Sequence, residues 1–131
     1  MAELKLTITK LKRHADARGL LFEPITAEEL LAQKNCHVVV STPGCVRGNH
    51  FHKQATELMV VNGPTLMRFR ERGQVSEHLV PEGETWKFLI PSGVSHASKN
   101  TGTASALMVA FSTTVHDPAN PDLVRDILFE A

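Results

Sequence analysis

Apolar and polar residues alternate at the start of the chain: Leu4, Leu6 and Ile8 fall on one side of a period of two, Lys5, Thr7 and Thr9 on the other. That period belongs to a strand with one face against a core. Further strands are expected over residues 36–42, 49–52, 57–61, 65–70, 76–80, 86–90, 95–99 and 105–113. Between them lie turn-forming clusters: Pro43-Gly44, Asn62-Gly63-Pro64, Arg72-Gly73, Pro81-Glu82-Gly83, Pro91-Ser92-Gly93 and Asn100-Thr101-Gly102. Many short strands at this spacing predict an all-β sandwich or barrel. Two short helices interrupt the pattern. Thr26 with Glu29 three residues on reads as a capping box for a helix running to about residue 34. Asn120 followed by Pro121 reads as the cap and first turn of a second helix, through Phe129.

At 131 residues the chain is the size of one domain, and no linker, repeat or low-complexity stretch divides it. A 42% share of hydrophobic residues is too high for a disordered chain. Fourteen basic residues balance fourteen acidic ones, so the basic surplus that grips nucleic acid without regard to sequence is missing. The longest apolar runs, such as Leu58-Met59-Val60-Val61, are far too short to span a bilayer. The first residues lack a signal-peptide core, and a cytoplasmic location is expected. Two cysteines, Cys36 and Cys45, do not make a disulfide framework; free thiols filling small apolar spaces are expected.

Seven histidines are many for this length. His50 and His52 are two apart, which on a strand puts both imidazoles on one face. Glu57 follows at a distance that lets the chain return on the next strand, and His96 lies far downstream. Three imidazoles and one carboxylate suit a divalent transition metal: zinc, iron, manganese or nickel. The downstream pattern is the sharper of the two. Pro-x-Gly-x-x-His-x-x-x-Asn, from Pro91 to Asn100, would arise by composition about once in a thousand such chains. His14, His37, His78 and His116 have no motif around them and read as surface or structural residues. Arg68 and Arg70 alternate on one strand face, read as solvated. Trp86 and Phe88 read as core or interface.

The two histidine segments together resemble the motifs of the cupin superfamily. The first cupin motif is matched by Gly44, five residues, His50-Phe51-His52, four residues, Glu57, five residues and Gly63; the second by Pro91, Gly93, His96 and Asn100. The resemblance implies one cupin domain over residues 1–131, a double-stranded β-helix (jelly-roll barrel) with the metal site of His50, His52, Glu57 and His96 inside.

A narrower resemblance points to the RmlC-like branch. Asp16-Ala17-Arg18-Gly19 with Glu23 is similar to a stretch near the start of dTDP-sugar 3,5-epimerases, and Arg47-Gly48-Asn49-His50 to their Arg-Gly-x-His strand. The resemblance implies His50 as catalytic base, Arg18 and Arg47 on the nucleotide diphosphate, and Glu23 facing the nucleobase. Arg47-Gly48-Asn49-His50-Phe51-His52 is also similar to the dTDP-sugar 3,4-ketoisomerases. The closest likeness is to the cupin domain of capsular-polysaccharide UDP-sugar enzymes, on Pro43 to His52 and on Asp117-Pro118-Ala119-Asn120-Pro121-Asp122. That likeness implies zinc and C3 epimerisation of a nucleotide-linked keto-sugar, and the family habit implies a homodimer.

Such chemistry needs a base for the proton beside the ketone, stabilisation of the enolate, and an acid to return a proton. The 3,5-epimerases use a tyrosine as that acid, and this chain contains none. One histidine nitrogen cannot both bind a metal and act as the base. The expected function is a keto-sugar nucleotide epimerase or isomerase of polysaccharide biosynthesis. The alternatives are a metal-dependent dioxygenase of a small acid and a non-catalytic sugar-binding or effector-binding cupin.

Overall fold

The computed structural model describes residues 4–130. Its elements are β1 (Thr7–Lys10), β2 (His14–Asp16), β3 (Gly19–Leu21), α1 (Ala27–Leu31), β4 (Asn35–Ser41), β5 (Val46–His52), β6 (Glu57–Asn62), β7 (Thr65–Glu71), β8 (Gln74–Val80), β9 (Thr85–Ile90), β10 (Ser95–Asn100), β11 (Ala106–Ser112) and β12 (Leu123–Arg125). Ten strands form two five-stranded antiparallel sheets, ordered β1-β9-β6-β11-β4 and β12-β5-β10-β7-β8, and β2 with β3 makes a separate hairpin. Facing one another, the two sheets make the expected jelly roll.

Alternation decides what fills the space between the sheets. Met59 and Val61 of β6, Met67 and Phe69 of β7, Phe88 and Ile90 of β9 and Met108 of β11 are two apart within their strands, and all are buried. With Val80 and Val94 they form the core, against which Leu6, Ile8, Val39 and Trp86 pack. Burying each large side chain contributes about 1.5–3 kcal/mol. The third strand of each sheet is β6 and β10, and both are buried almost throughout. Glu57 opens β6 and His96 sits in β10, so both polar side chains are carried into the interior by the best-covered strands.

The capping box at the first helix forms as expected. Glu29 N–H donates to Thr26 Oγ1 and Thr26 N–H donates to Glu29 Oε1. The helix is shorter than expected. It ends at Leu31, because Lys34 N–H already donates to the Ser112 carbonyl and commits the chain to β4. The second helix, expected through Phe129, does not form. In its place β12 pairs with β5, Leu123 against His52, Val124 against Phe51 and Arg125 against His50. The edge of β5 offers this segment a ladder. Asp122, instead of serving a helix start, accepts hydrogen bonds from the amides of Lys53, Gln54 and Ala55. Tertiary partners here outweigh local helix signals. The β2–β3 hairpin was not anticipated, being only three residues a side.

Cys36 is exposed, which corrects its expected place in an apolar space; Cys45 is partly buried, and both thiols are free. Arg68 and Arg70 are not merely solvated: they pair with Glu77 and Asp126 respectively. Phe88 is core as expected, with Trp86 packed on it. No helix among the described residues is long and apolar enough to cross a membrane.

Candidate functional site

The downstream motif builds its side of the site through a turn. Gly93 has φ +84°, a left-handed conformation that glycine adopts without strain. Its N–H donates to the His52 carbonyl at 2.8 Å. The turn that launches β10 is thereby latched to the strand carrying His52, and His96 follows three residues later. At the far end of β10, Asn100 donates to the carbonyls of Ser41 and Ala104 and accepts from Gly102 N–H. The terms of the motif thus fix both ends of the strand that holds His96.

The upstream motif contains a β-bulge. In the β5–β10 ladder His96 faces His50, but Ala97 faces Gly48, so Asn49 is an extra residue. Gly48 and Asn49 both have positive φ, +88° and +59°. A Cβ on Gly48 would lie 2.7 Å from the His96 carbonyl oxygen, so only glycine fits this approach. The bulge has a further consequence. In a regular strand Arg47 and His50 point to opposite faces; with Asn49 inserted, Arg47 shares the inner face with His50 and His52. Its Nε donates to Ser41 Oγ at 3.1 Å and its Nη2 to the Val40 carbonyl, and, though exposed, it lines an open cavity with His37, His50, Glu57, His96 and Ser98.

Asn49 itself is buried and turned to the C-terminal segment. Its Oδ1 accepts from Leu128 and Phe129 N–H, and its Nδ2 donates to the Phe129 carbonyl. Ser95 and Arg70 hold Asp126, and Arg68 lies over the Phe129 ring.

Inside the barrel His50, His52 and His96 converge. Their ring centroids are 4.8–5.6 Å apart. Glu57 reaches them from the opposite sheet, with Oε1 3.0 Å from His52 Nε2 and 3.2 Å from His96 Nε2. Asp122 Oδ2 lies 3.9 Å from His52 Nδ1 on the ring's other side. Burial, above all, holds His50 below the usual imidazole range, with His52 adding to this and Glu57 opposing it. Burial drives His96 down to about 4, only partly opposed by the charge of Glu57. Burial also pulls on His52, but the hydrogen bond and charge of Glu57, with Asp122, outweigh it and leave that ring above its ordinary value. Glu57 would be raised by burial; His52, His96 and His37 together keep it below the usual carboxylate range.

This donor set fits a divalent metal. Metal ligands must be neutral imidazoles and ionised carboxylates, the states that burial favours at His50 and His96 and the histidines favour at Glu57. A tetrahedral zinc with bonds of about 2.1 Å has ligand atoms about 3.4 Å apart. One nitrogen from each of the three histidines can be chosen so that all lie within 4.8 Å of one another, and Glu57 is already closer than 3.4 Å to two of them.

A larger cavity of about 450 Å³ opens beside the cluster, walled by His37, His50, His52, Glu57, His116 and Asp122 among others. His37, read from sequence as a surface or structural residue, is exposed yet lines both cavities. Its only sequence signal is alternation with the inward-facing Val39 and Ser41 of β4. Arg18 and Glu23 are elsewhere. Arg18 sits in the turn of the β2–β3 hairpin, 90% exposed and paired with Asp16. Glu23 is exposed just beyond, and neither lines either cavity.

Comparison with known proteins agrees with this architecture. The model of the family described as "Polysaccharide biosynthesis C-terminal domain" matches residues 14–124. The spore coat polysaccharide biosynthesis protein SpsL of Bacillus subtilis is 27% identical over 130 residues, 90% of this chain and 85% of SpsL. Among solved structures, the capsular polysaccharide assembling protein CapF of Staphylococcus aureus is 26% identical with a TM-score of 0.66. The match covers 88% of this chain but 32% of CapF, so the chain spans about a third of that protein's length. QdtA, a 3,4-ketoisomerase of Thermoanaerobacterium thermosaccharolyticum solved as a double mutant with TDP, matches at a TM-score of 0.70 and 20% identity. That match covers 92% of this chain and 87% of QdtA. The fold is that of the RmlC-like cupins.

Proposed function

Because this chain belongs to the polysaccharide biosynthesis C-terminal domain family, we propose that it is a metal-dependent enzyme that epimerises or isomerises a keto-sugar carried on a nucleoside diphosphate. The observation that carries this reading is the placement of Arg47. The Asn49 bulge sets a guanidinium on the same inner wall as a buried cluster of three histidines and a carboxylate. A cation that binds phosphate oxygens in bidentate fashion therefore stands beside a site suited to carbonyl chemistry.

His50, His52, Glu57 and His96 would hold the metal, zinc by preference for this ligand set. When bound, such a metal polarises a ketone and stabilises the negative charge that grows on its oxygen as the neighbouring proton leaves. The rest falls to the chain. Before metal binds, Glu57 Oε1 already holds His52 and His96 together, 3.0 Å and 3.2 Å from their Nε2 atoms. Arg47 holds the diphosphate. The half-buried cavity wall restricts water at the reacting carbon, which strengthens every charge interaction there. A neutral imidazole accepts the proton. Burial keeps His50 neutral, and His50 would serve as that base wherever its ring is free of the metal.

Two relatives support the substrate class by what they are called: SpsL acts in polysaccharide biosynthesis, and QdtA is a ketoisomerase seen with TDP. The test is thermal unfolding of the zinc-loaded protein with TDP, UDP, GDP and inorganic phosphate. A ligand selective for the folded state raises the midpoint by mass action. A rise with a nucleoside diphosphate, lost in Arg47→Gln, is the expected result; no rise with any nucleotide would sink the proposal. A rise without exchange of the sugar's α-proton in deuterium oxide would mean a binding module instead of an enzyme.

A further inference from the structure

With all four cluster residues engaged by a metal, His50 has no free nitrogen at the site, and the reaction proposed above needs another base. We propose that His37 is that base, the group that moves the α-proton of the keto-sugar. The inference rests on the proposed function and adds the residue that performs its central step.

Four observations lead to His37. It alternates along β4 with Val39, which packs on the core, and Ser41, which is buried and holds Arg47, so its side chain belongs to the inner face. It lies on the sheet opposite the histidine cluster, since β4 and β5 belong to different sheets. It lines both cavities that meet at His50 and Glu57. The strand between His37 and Glu57 is β11, whose inner face carries Met108 toward the core and then Ala110 and Ser112, Ala110 directly opposite His37. At the level of His37 and Glu57 the facing β11 residues, Ala110 and Ser112, are small and leave the space there open to a ligand. A sugar ring in the cavity would thus have the cluster on one side and an accessible imidazole on the other.

The step balances without any further reactant. The C–H bond beside the ketone breaks, its proton goes to the neutral ring nitrogen of His37, and its electron pair becomes the C=C of an enolate. The imidazolium then returns the proton, on the same face, to the former carbonyl carbon while the neighbouring hydroxyl proton passes to the enolate oxygen, which moves the ketone by one carbon, the isomerase outcome. Among other polar groups on the larger cavity's wall, Asp122 is committed to three backbone amides, and His116 lies on the loop after β11.

The experiment uses zinc-loaded protein with TDP- and UDP-linked 4-keto-6-deoxyglucose in deuterium oxide, following α-deuterium incorporation by NMR. His37→Gln should lose exchange by about 100-fold or more, while its zinc content and nucleotide-induced rise in melting temperature stay as in the wild type. In His37→Ala, added imidazole should restore part of the exchange, which a merely structural role would not allow. Exchange in His37→Gln within about threefold of wild type overturns the role of His37 alone. So does a loss confined to His116→Gln. No exchange by the wild-type protein overturns the enzymatic reading and the role of His37 with it.

Discussion

Asn49 and Phe129 are joined by two hydrogen bonds, Phe129 N–H to Asn49 Oδ1 and Asn49 Nδ2 to the Phe129 carbonyl, each at 3.0 Å. A side-chain amide here imitates a strand partner for the chain's last residues. Because Asn49 is also the bulge residue of β5, one side chain links the C-terminal segment to the backbone shift that aims Arg47 and His50 inward. Asn49→Ala removes these two bonds and the one from Leu128 N–H, and leaves a β-carbon residue at positive φ. A loss of about 2–4 kcal/mol is expected, read by chemical denaturation. Hydrogen exchange at Leu128 and Phe129 should speed up more than in β10.

Gly48 tests the bulge from the other side. Gly48→Ala places a β-carbon 2.7 Å from the His96 carbonyl at a left-handed φ. The backbone on both sides is laddered, so the contact cannot be relieved by a side-chain rotation. Destabilisation of about 2 kcal/mol or more is expected, together with weaker zinc binding as His96 is displaced. Gly93→Ala meets no nearby atom and should cost only its left-handed φ, about 1–2 kcal/mol.

Zinc affinity, measured by chelator competition, should separate the carboxylates. Glu57→Gln removes the anionic ligand and should weaken binding by about 100-fold or more; Asp122→Asn acts through His52 Nδ1 and should cost about 10-fold. Equal losses in the two variants would remove the distinction between ligand and supporting residue.

The metal-free protein should lose stability in mild acid. The folded-state value of His96 is about 4, against an ordinary value of 6.5. Between these values the unfolded chain binds the proton and the folded chain does not, so stability falls as pH drops from about 6.5 to about 4 and is level with respect to this group below that. His50, also lowered, acts in the same direction; His52, raised, opposes it. Denaturation midpoints across this range should fall with pH, and His96→Gln should flatten the slope.

Short apolar runs set between turn-forming clusters located the core strands at residues 57–61, 65–70 and 86–90 correctly, because such turns punctuate the chain locally. The capping box at Thr26 was legible for a similar reason: its partners are three residues apart. The C-terminal segment was not. Asn120-Pro121 carries a local helix signal, and what overrides it is an open edge of β5 some seventy residues earlier, together with the amides that Asp122 meets there.

The chain's own pattern determined the all-β architecture, the shared face of His50 and His52, and the turns that frame His96, all of which follow from residue type and short-range spacing; that Glu57 and His96 join them was implied by the cupin resemblance. Only the folded structure decided that Arg47 faces the cluster, that His37 stands across the cavity from it, and that Arg18 and Glu23 lie outside it. The physical reason is register. A single inserted residue at Asn49 reverses which face Arg47 occupies, and beside it β10 approaches too closely for any side chain at position 48. The facing of β4 toward β5 likewise depends on how two sheets pack, which no local pattern records.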